Sequence, residues 1–214
     1  MIERLQQRLE EELPGIESWN RMAVKSKKGD SIESESLQKY SDWITEEKLS
    51  SMKKAAVLIG LFKKENDWYF PLIKRPMHEK NHPGQIALPG GAMEKNENLD
   101  KTALREAHEE VGIIPENVNI IGKLTPLPVP VSNYLIHPFV GIISDEPKWK
   151  INEEEVEELI ILKLNHLIEA DNSYSEVWKL RGTEVKVPIF KVMEKTVWGA
   201  TATVLCELLD LIKK

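Results

Sequence analysis

The first apolar positions, Ile2, Leu5, Leu9 and Leu13, recur at helical spacing until Pro14-Gly15 interrupts them, which predicts a short amphipathic helix at the start of the chain. Residues 25–36, rich in Lys, Ser, Glu and Gly, read as a loop. The pattern changes at 55–62, where Ala-Ala-Val-Leu-Ile-Gly-Leu-Phe is an apolar run of strand length, and 68–73 predicts its hairpin partner across 63–67. Pro71 predicts that this second strand lies near a sheet edge, where a missing N–H is tolerated. Further strands are predicted at 118–124, 136–143, 159–164 and 184–190, and helices at 99–111 and 203–212. In the last helix Val204, Leu205, Leu208, Leu209 and Ile212 form one stripe, as expected of a helix packed on a core. One helix in mid-chain and another at the end, among strands, predict an α/β fold with sheets covered by helices on both sides. No internal repeat and no linker between comparable halves is present, so the expected organisation is one main domain over 51–214, preceded by a helical extension, 1–50, packed on its core.

Composition narrows this picture. A chain of 214 residues with 41% hydrophobic and 30% charged positions has the make-up of a soluble globular protein rather than a disordered one. The charged start of the chain lacks the apolar core of a secretion signal, and no apolar stretch approaches the roughly 18 residues needed to span a membrane. The single cysteine, Cys206, excludes an internal disulfide and a cysteine-based zinc site, which fits a reducing cytoplasm. A net charge of −6 argues against broad attraction to nucleic acid, so an anionic ligand would need a local basic patch or metal ions.

The chemistry concentrates at residues 91–113. If 99–111 is helical, Glu106, Glu109 and Glu110 stand at i, i+3 and i+4 and share one face, while Leu104, Ala107 and Val111 fall on another. Three carboxylates on one face repel each other, and a divalent cation removes the conflict. Mg²⁺ and Mn²⁺ prefer hard oxygen ligands, which diphosphates also offer, so one cluster can hold metal and substrate together. Gly112 suits a left-handed helix cap, and Pro115 prevents continuation.

An arbitrary glutamate-rich helix face is usually just solvated, but here the pattern decides otherwise. Gly91, Glu97, Arg105, Glu106, Glu109, Glu110, Gly112 and Ile113 fall in the register of the Nudix box, G-x5-E-x7-R-E-U-x-E-E-x-G-U with U a bulky aliphatic, and Ala107 takes the first U. With fixed letters at roughly 5 to 7% usage, a chance match is on the order of one in a million. The segment thus resembles that of Nudix hydrolases. The resemblance implies an α/β/α sandwich with a mixed sheet and the Nudix loop-helix-loop. It also implies metal held by Glu106, Glu109 and Glu110 with help from the Gly91 carbonyl, and an Arg105–Glu97 pair that orients the cluster. In the glutamate run at 153–158, Glu155 is the residue expected to add a further ligand or a base; Glu106 is a ligand or the base, and Glu109 and Arg105 belong to the same catalytic group. His108 occupies a free position of the box and is expected at the surface.

The preceding segment bears on the substrate. Residues 72–91 resemble the second signature of the coenzyme A diphosphatase branch, L-L-T-x-R-S-x3-R-x3-G-x3-F-P-G-G. Leu72, Arg75, Gly84, Pro89, Gly90 and Gly91 are in register, whereas Ile73, Pro76, Lys80 and Leu88 stand where the signature has threonine, serine, arginine and phenylalanine. Residues 121–142, 152–156 and 198–202 also look like that branch. Lys74, Arg75, His78, Lys80 and His82 make a basic stretch in an acidic chain, suited to a multiply phosphorylated ligand. Arg75, Lys80, Lys74 and Gly90 are therefore the expected substrate-binding residues. The resemblance implies Mg²⁺- or Mn²⁺-dependent hydrolysis of coenzyme A or its derivatives to adenosine 3',5'-bisphosphate and 4'-phosphopantetheine, by a cytoplasmic enzyme that binds neither nucleic acid nor membrane, and it allows a homodimer. The alternatives are a Nudix hydrolase of an ADP-sugar or dinucleotide, and a Nudix domain used only for binding.

Overall fold

The computed structural model describes residues 1–26, 44–79, 82–169, 173–180 and 182–213. Helices α1 (Ile2–Leu9) and α2 (Ile16–Trp19) lead to the short strand β1 (Lys25–Ser26), and α3 (Glu46–Ser51) leads into the long strand β2 (Lys53–Lys64), which turns back as β3 (Asp67–Lys74). Two short strands, β4 (Ile86–Ala87) and β5 (Gly90–Ala92), precede α4 (Leu99–Val111). Then come β6 (Val118–Lys123), β7 (Leu127–Val129), β8 (Tyr134–Ile143), β9 (Glu158–Lys163), α5 (Leu164–Glu169), β10 (Ser173–Leu180), β11 (Thr183–Val192), β12 (Lys195–Trp198) and α6 (Gly199–Lys213).

The architecture follows from β2. Its neighbour β8 runs parallel along ten residue pairs, from Lys53↔Tyr134 to Phe62↔Ile143, while its other partners, β3 and β5, are antiparallel. Successive side chains of a strand point to opposite faces, so Ala56, Leu58 and Phe62 join one hydrophobic cluster and Ile59 and Leu61 join the other. A strand covered on both faces is apolar throughout, which is why its sequence shows no alternation. Ala103, Leu104, Ala107 and Val111 of α4 close the first cluster. Leu5 and Leu9 of α1, Trp19, and Val204, Leu205, Leu208 and Leu209 of α6 belong to the second. The result is the expected α/β/α sandwich around a mixed sheet, whose main path is β4-β3-β2-β8-β6.

Four details differ from the sequence reading. Pro71 is not at an edge: β3 is flanked by β9, with Pro71 opposite Ile161, and Pro71 is buried. The ladder with β2 ends at Tyr69 and that with β4 begins at Ile73, so at Pro71 β3 pairs only with β9 and a missing donor is accommodated. The first helix ends at Leu9, and Leu13 packs against the core from outside it. Lys25 and Ser26, read as loop, are a strand against Lys186 and Val185; residues 27–36 of that expected loop lie outside the described residues. Finally, β1, β10 and β12 gather on β11 as a second, antiparallel sheet, of which only β11 was expected.

One buried acid fastens the N-terminal segment to this core. Glu207 of α6, fully buried, accepts hydrogen bonds from Gly15 N (3.1 Å), Trp19 Nε1 (3.4 Å) and Thr125 Oγ1 (2.5 Å). It joins three chain segments that no local pattern connects.

Candidate active site

Helix α4 spans the predicted residues. Its C-terminus is closed by Gly112 at φ +78°, with Gly112 N donating to His108 O at 2.9 Å and Ile113 N to Ala107 O at 3.3 Å, so the chain reverses immediately after the acidic turn. With its apolar face on the sheet, the helix directs Glu106 and Glu110 towards β5, while Arg105 and Glu109 lie further out.

Two glycines let the β5 loop approach these acids. Gly90 has φ +154°, and a Cβ there would stand 2.3 Å from the carbonyl oxygen of Ala56. Its N–H instead donates to Glu110 Oε2 at 2.9 Å. A Cβ on Gly91 would stand 2.5 Å from the Glu106 carboxylate, so the main chain at Gly91 lies directly against that group.

The third acid comes from further along the chain. Lys150 N donates to Val111 O (3.1 Å) and Asn152 N to Glu110 O (3.0 Å), which lays the segment before β9 across the end of α4. A turn closed by Val156 N donating to Asn152 O (2.8 Å) then presents Glu155, and Val156 plugs the core beneath it. Ligand oxygens of Glu106, Glu110 and Glu155 all lie within 4.8 Å of one another. Glu109, expected among the ligands, is outside this group: it is about half exposed, and its carboxylate accepts from Arg105 Nη1 at 2.8 Å.

Arg105 organises the acids around it. It donates from Nε to Glu97 Oε1 at 2.9 Å, reaches Glu106 Oε1 at 2.9 Å, and donates from Nη2 to the Ala92 carbonyl at 3.2 Å. The Arg105 hydrogen bonds, aided by Thr102 Oγ1 and Glu94 N–H, hold Glu97 down at about 2, and the same carboxylates raise the affinity of Arg105 for its proton. The clustered acids behave oppositely. Burial pushes Glu110 up to about 8 against the opposing effects of the Gly90 N–H and the Arg75 charge, and burial likewise raises Glu106. Glu97 and Glu109 thus have Arg105 as their counter-charge, whereas burial disfavours the charged forms of Glu110 and, despite its contact with Arg105, of Glu106.

The expected substrate residues fare unequally. Arg75 acts electrostatically on Glu110 and is tied to Glu79, with Nε donating to Glu79 Oε2 at 2.9 Å. Lys74 forms an ion pair with Glu157. Lys80 lies outside the described residues. Gly90 spends its N–H on Glu110 and so positions a carboxylate rather than offering that donor to a substrate. His108 is exposed, with Nδ1 3.0 Å from Ile113 O. Asn152, which sequence reading placed in a segment of interest without a role, is the residue that aims Glu155: its Nδ2 donates to Glu155 Oε1 at 3.3 Å.

The family profile described as the NUDIX domain matches residues 52–180. The uncharacterized Nudix hydrolase NudL of Enterobacter sp. (strain 638) is 38% identical over 157 residues, 73% of this chain and 81% of that protein. Its namesake in Pectobacterium atrosepticum is 36% identical over 138 residues, 64% of this chain and 71% of that protein. Among solved structures, the MutT protein from Methanosarcina mazei Go1 is 17% identical, with 77% of this chain and 98% of that chain covered and a TM-score of 0.49.

Proposed function

The chain belongs to the Nudix hydrolase family, enzymes that cleave nucleoside diphosphate derivatives, and from that premise we propose that it hydrolyses the diphosphate of coenzyme A or its derivatives to adenosine 3',5'-bisphosphate and 4'-phosphopantetheine. The observation that carries the diphosphatase part is the convergence of Glu106, Glu110 and Glu155 beside Arg75. The coenzyme A part is supported by residues 72–91, where Leu72, Arg75, Gly84 and Pro89-Gly90-Gly91 keep the register of that branch.

The site fits a hard divalent cation. Its donors are carboxylate oxygens, with Glu110 at only 3% exposure and the main chain of Gly91 alongside. In this reading Glu106, Glu110 and Glu155 would hold Mg²⁺ or Mn²⁺ together with Gly91. When bound, the metal supplies Lewis-acid polarisation of the diphosphate and acidification of a water. Glu106 is also the carboxylate assigned to accept the proton of the attacking water. Arg105 fixes Glu106, Glu109 and the β5 carbonyl in one frame, and Arg75 steadies the diphosphate. The lone buried Cys206 is consistent with a cytoplasmic setting. Among the described residues no helix is long and apolar enough to cross a membrane.

The test is a comparison of coenzyme A, ADP-ribose and NADH as substrates under Mg²⁺. Coenzyme A is expected to have the highest kcat/KM. Brisk ADP-ribose cleavage beside negligible coenzyme A cleavage overturns the substrate and leaves the diphosphatase reading standing. No cleavage of any of them, from a chain that binds nucleotides, favours a binding module.

Electrostatics adds a second expectation. Glu110 is raised in the folded state to about 8, so in metal-free protein its contribution to stability is complete below its ordinary value and is lost as pH rises to about 8. The melting temperature of metal-free protein should therefore fall by several degrees between about pH 5 and pH 8, and millimolar Mg²⁺ or Mn²⁺ should remove most of that fall. Parallel melting curves with and without metal would argue against the cluster as the metal site.

A further inference from the structure

A cleft of about 490 Å³ opens between the two sheets, outside the acidic cluster. One wall is Lys74 at the end of β3 with Pro83, Gly84, Gln85 and Ile86; the other is Trp178 of β10 with Lys195, Thr196 and Trp198 of β12. The two indoles meet edge to face, 5.0 Å between centroids at 78°, and both are only partly buried. Trp178 Nε1 is already satisfied by Glu176 Oε2 at 2.8 Å, so the ring is anchored at its polar end.

Resting on the diphosphatase reading above, we propose that this cleft receives the nucleoside half of the substrate, its purine against the Trp178–Trp198 pair and its ribose phosphate at Lys195 and Lys74. Three observations carry this. The cleft begins where the proposed diphosphate site ends: Lys74 lines it, the next residue, Arg75, acts on Glu110, and Lys74 O accepts from Glu157 N at 2.8 Å, two residues beyond Glu155. Its volume falls in the range of small-ligand pockets, and indole faces stack any base. Its lysines are tied to partly exposed carboxylates, Lys74 to Glu157 and Lys195 to Glu158, in surface pairs that a phosphate dianion can replace at little cost. The amide of Gln85 and hydroxyl of Thr196 can meet base edges and sugar hydroxyls, groups that an acyl tail would leave unpaired. The second sheet, of which only β11 was expected from the sequence, thereby acquires a role in substrate selection.

The test uses the Mg²⁺-loaded enzyme and binding of adenosine 3',5'-bisphosphate, measured by calorimetry, so that no turnover is needed. Trp178→Leu should weaken bisphosphate binding about tenfold. Lys195→Ala should weaken the bisphosphate more than adenosine 5'-phosphate, and neither change should weaken 4'-phosphopantetheine. In turnover of coenzyme A by Trp178→Leu, the loss should fall mainly in KM. Unchanged bisphosphate affinity in both variants of an enzyme that does cleave coenzyme A overturns the subsite alone, as does a selective loss of phosphopantetheine binding. If coenzyme A is not cleaved but Trp178→Leu still weakens adenosine 5'-phosphate, the base subsite stands and only the substrate falls.

Discussion

Glu110→Gln is expected to lower kcat by about 10³-fold while leaving the fold intact. Glu110 sits at 3% exposure with a carboxylate oxygen within 4.8 Å of oxygens of both Glu106 and Glu155, so the substitution removes an anionic donor from the middle of the proposed ligand group. Its amide isostere still accepts from Gly90 N–H, and because the metal-free carboxyl is held up to about 8, it is largely protonated at neutral pH. The metal-free variant should therefore melt no lower than the parent, and its pH-dependent loss of stability should shrink. The effect of metal on melting should be much reduced. Glu109→Gln should cost markedly less, since that carboxylate is half exposed and bound to Arg105 rather than to the cluster. Near-parental turnover in Glu110→Gln, with metal still raising the melting temperature, would remove Glu110 from the proposed ligand set.

Gly90→Ala is expected to destabilise the protein by roughly 3–5 kcal/mol. The new methyl would meet backbone rather than a movable side chain, 2.3 Å from Ala56 O and 2.6 Å from Val57 Cα, at φ +154°. Relief requires β5 to separate from β2, which withdraws the N–H that holds Glu110, so activity should fall with stability. Gly182→Ala is the matched control. That glycine also has positive φ, +85°, but nothing lies within 4 Å of its added Cβ, so only backbone strain of about 1 kcal/mol is expected. Denaturant midpoints for the two variants make the comparison, and equal losses would mean that the close approach of β5 to β2 contributes nothing.

Both predictions depend on how a local motif is completed by distant chain. Glu106 and Glu110 could be placed on one helix face from their spacing, and the Gly112 cap from its residue type, because helix geometry acts over a few residues. The same rule put Glu109 with them, since i+3 and i+4 are neighbours on a helix. It could not weigh Arg105, which draws Glu109 outward, against burial, which keeps Glu110 in. Glu155 was singled out from a run of five glutamates only through resemblance; its position depends on backbone bonds from Lys150 and Asn152 to the end of α4.

The sheets divide in the same way. The hairpin of β2 and β3 and the strands β6, β8 and β9 have apolar runs long enough to be visible, whereas β10 exposes Tyr174 and Val177 and carries little burial signal. Pro71 was misplaced because a proline reports a missing donor but not whether the neighbouring ladder has already ended. By itself the sequence determined the acidic helix, its cap, the close-approach glycines and the family to which they belong, all features written within about one helical segment. Only the tertiary structure decided which carboxylates converge, which N–H holds Glu110, and that Trp178 and Trp198 face Lys74 across a cleft, because those relations arise from pairings between segments far apart in the chain, which no local periodicity encodes.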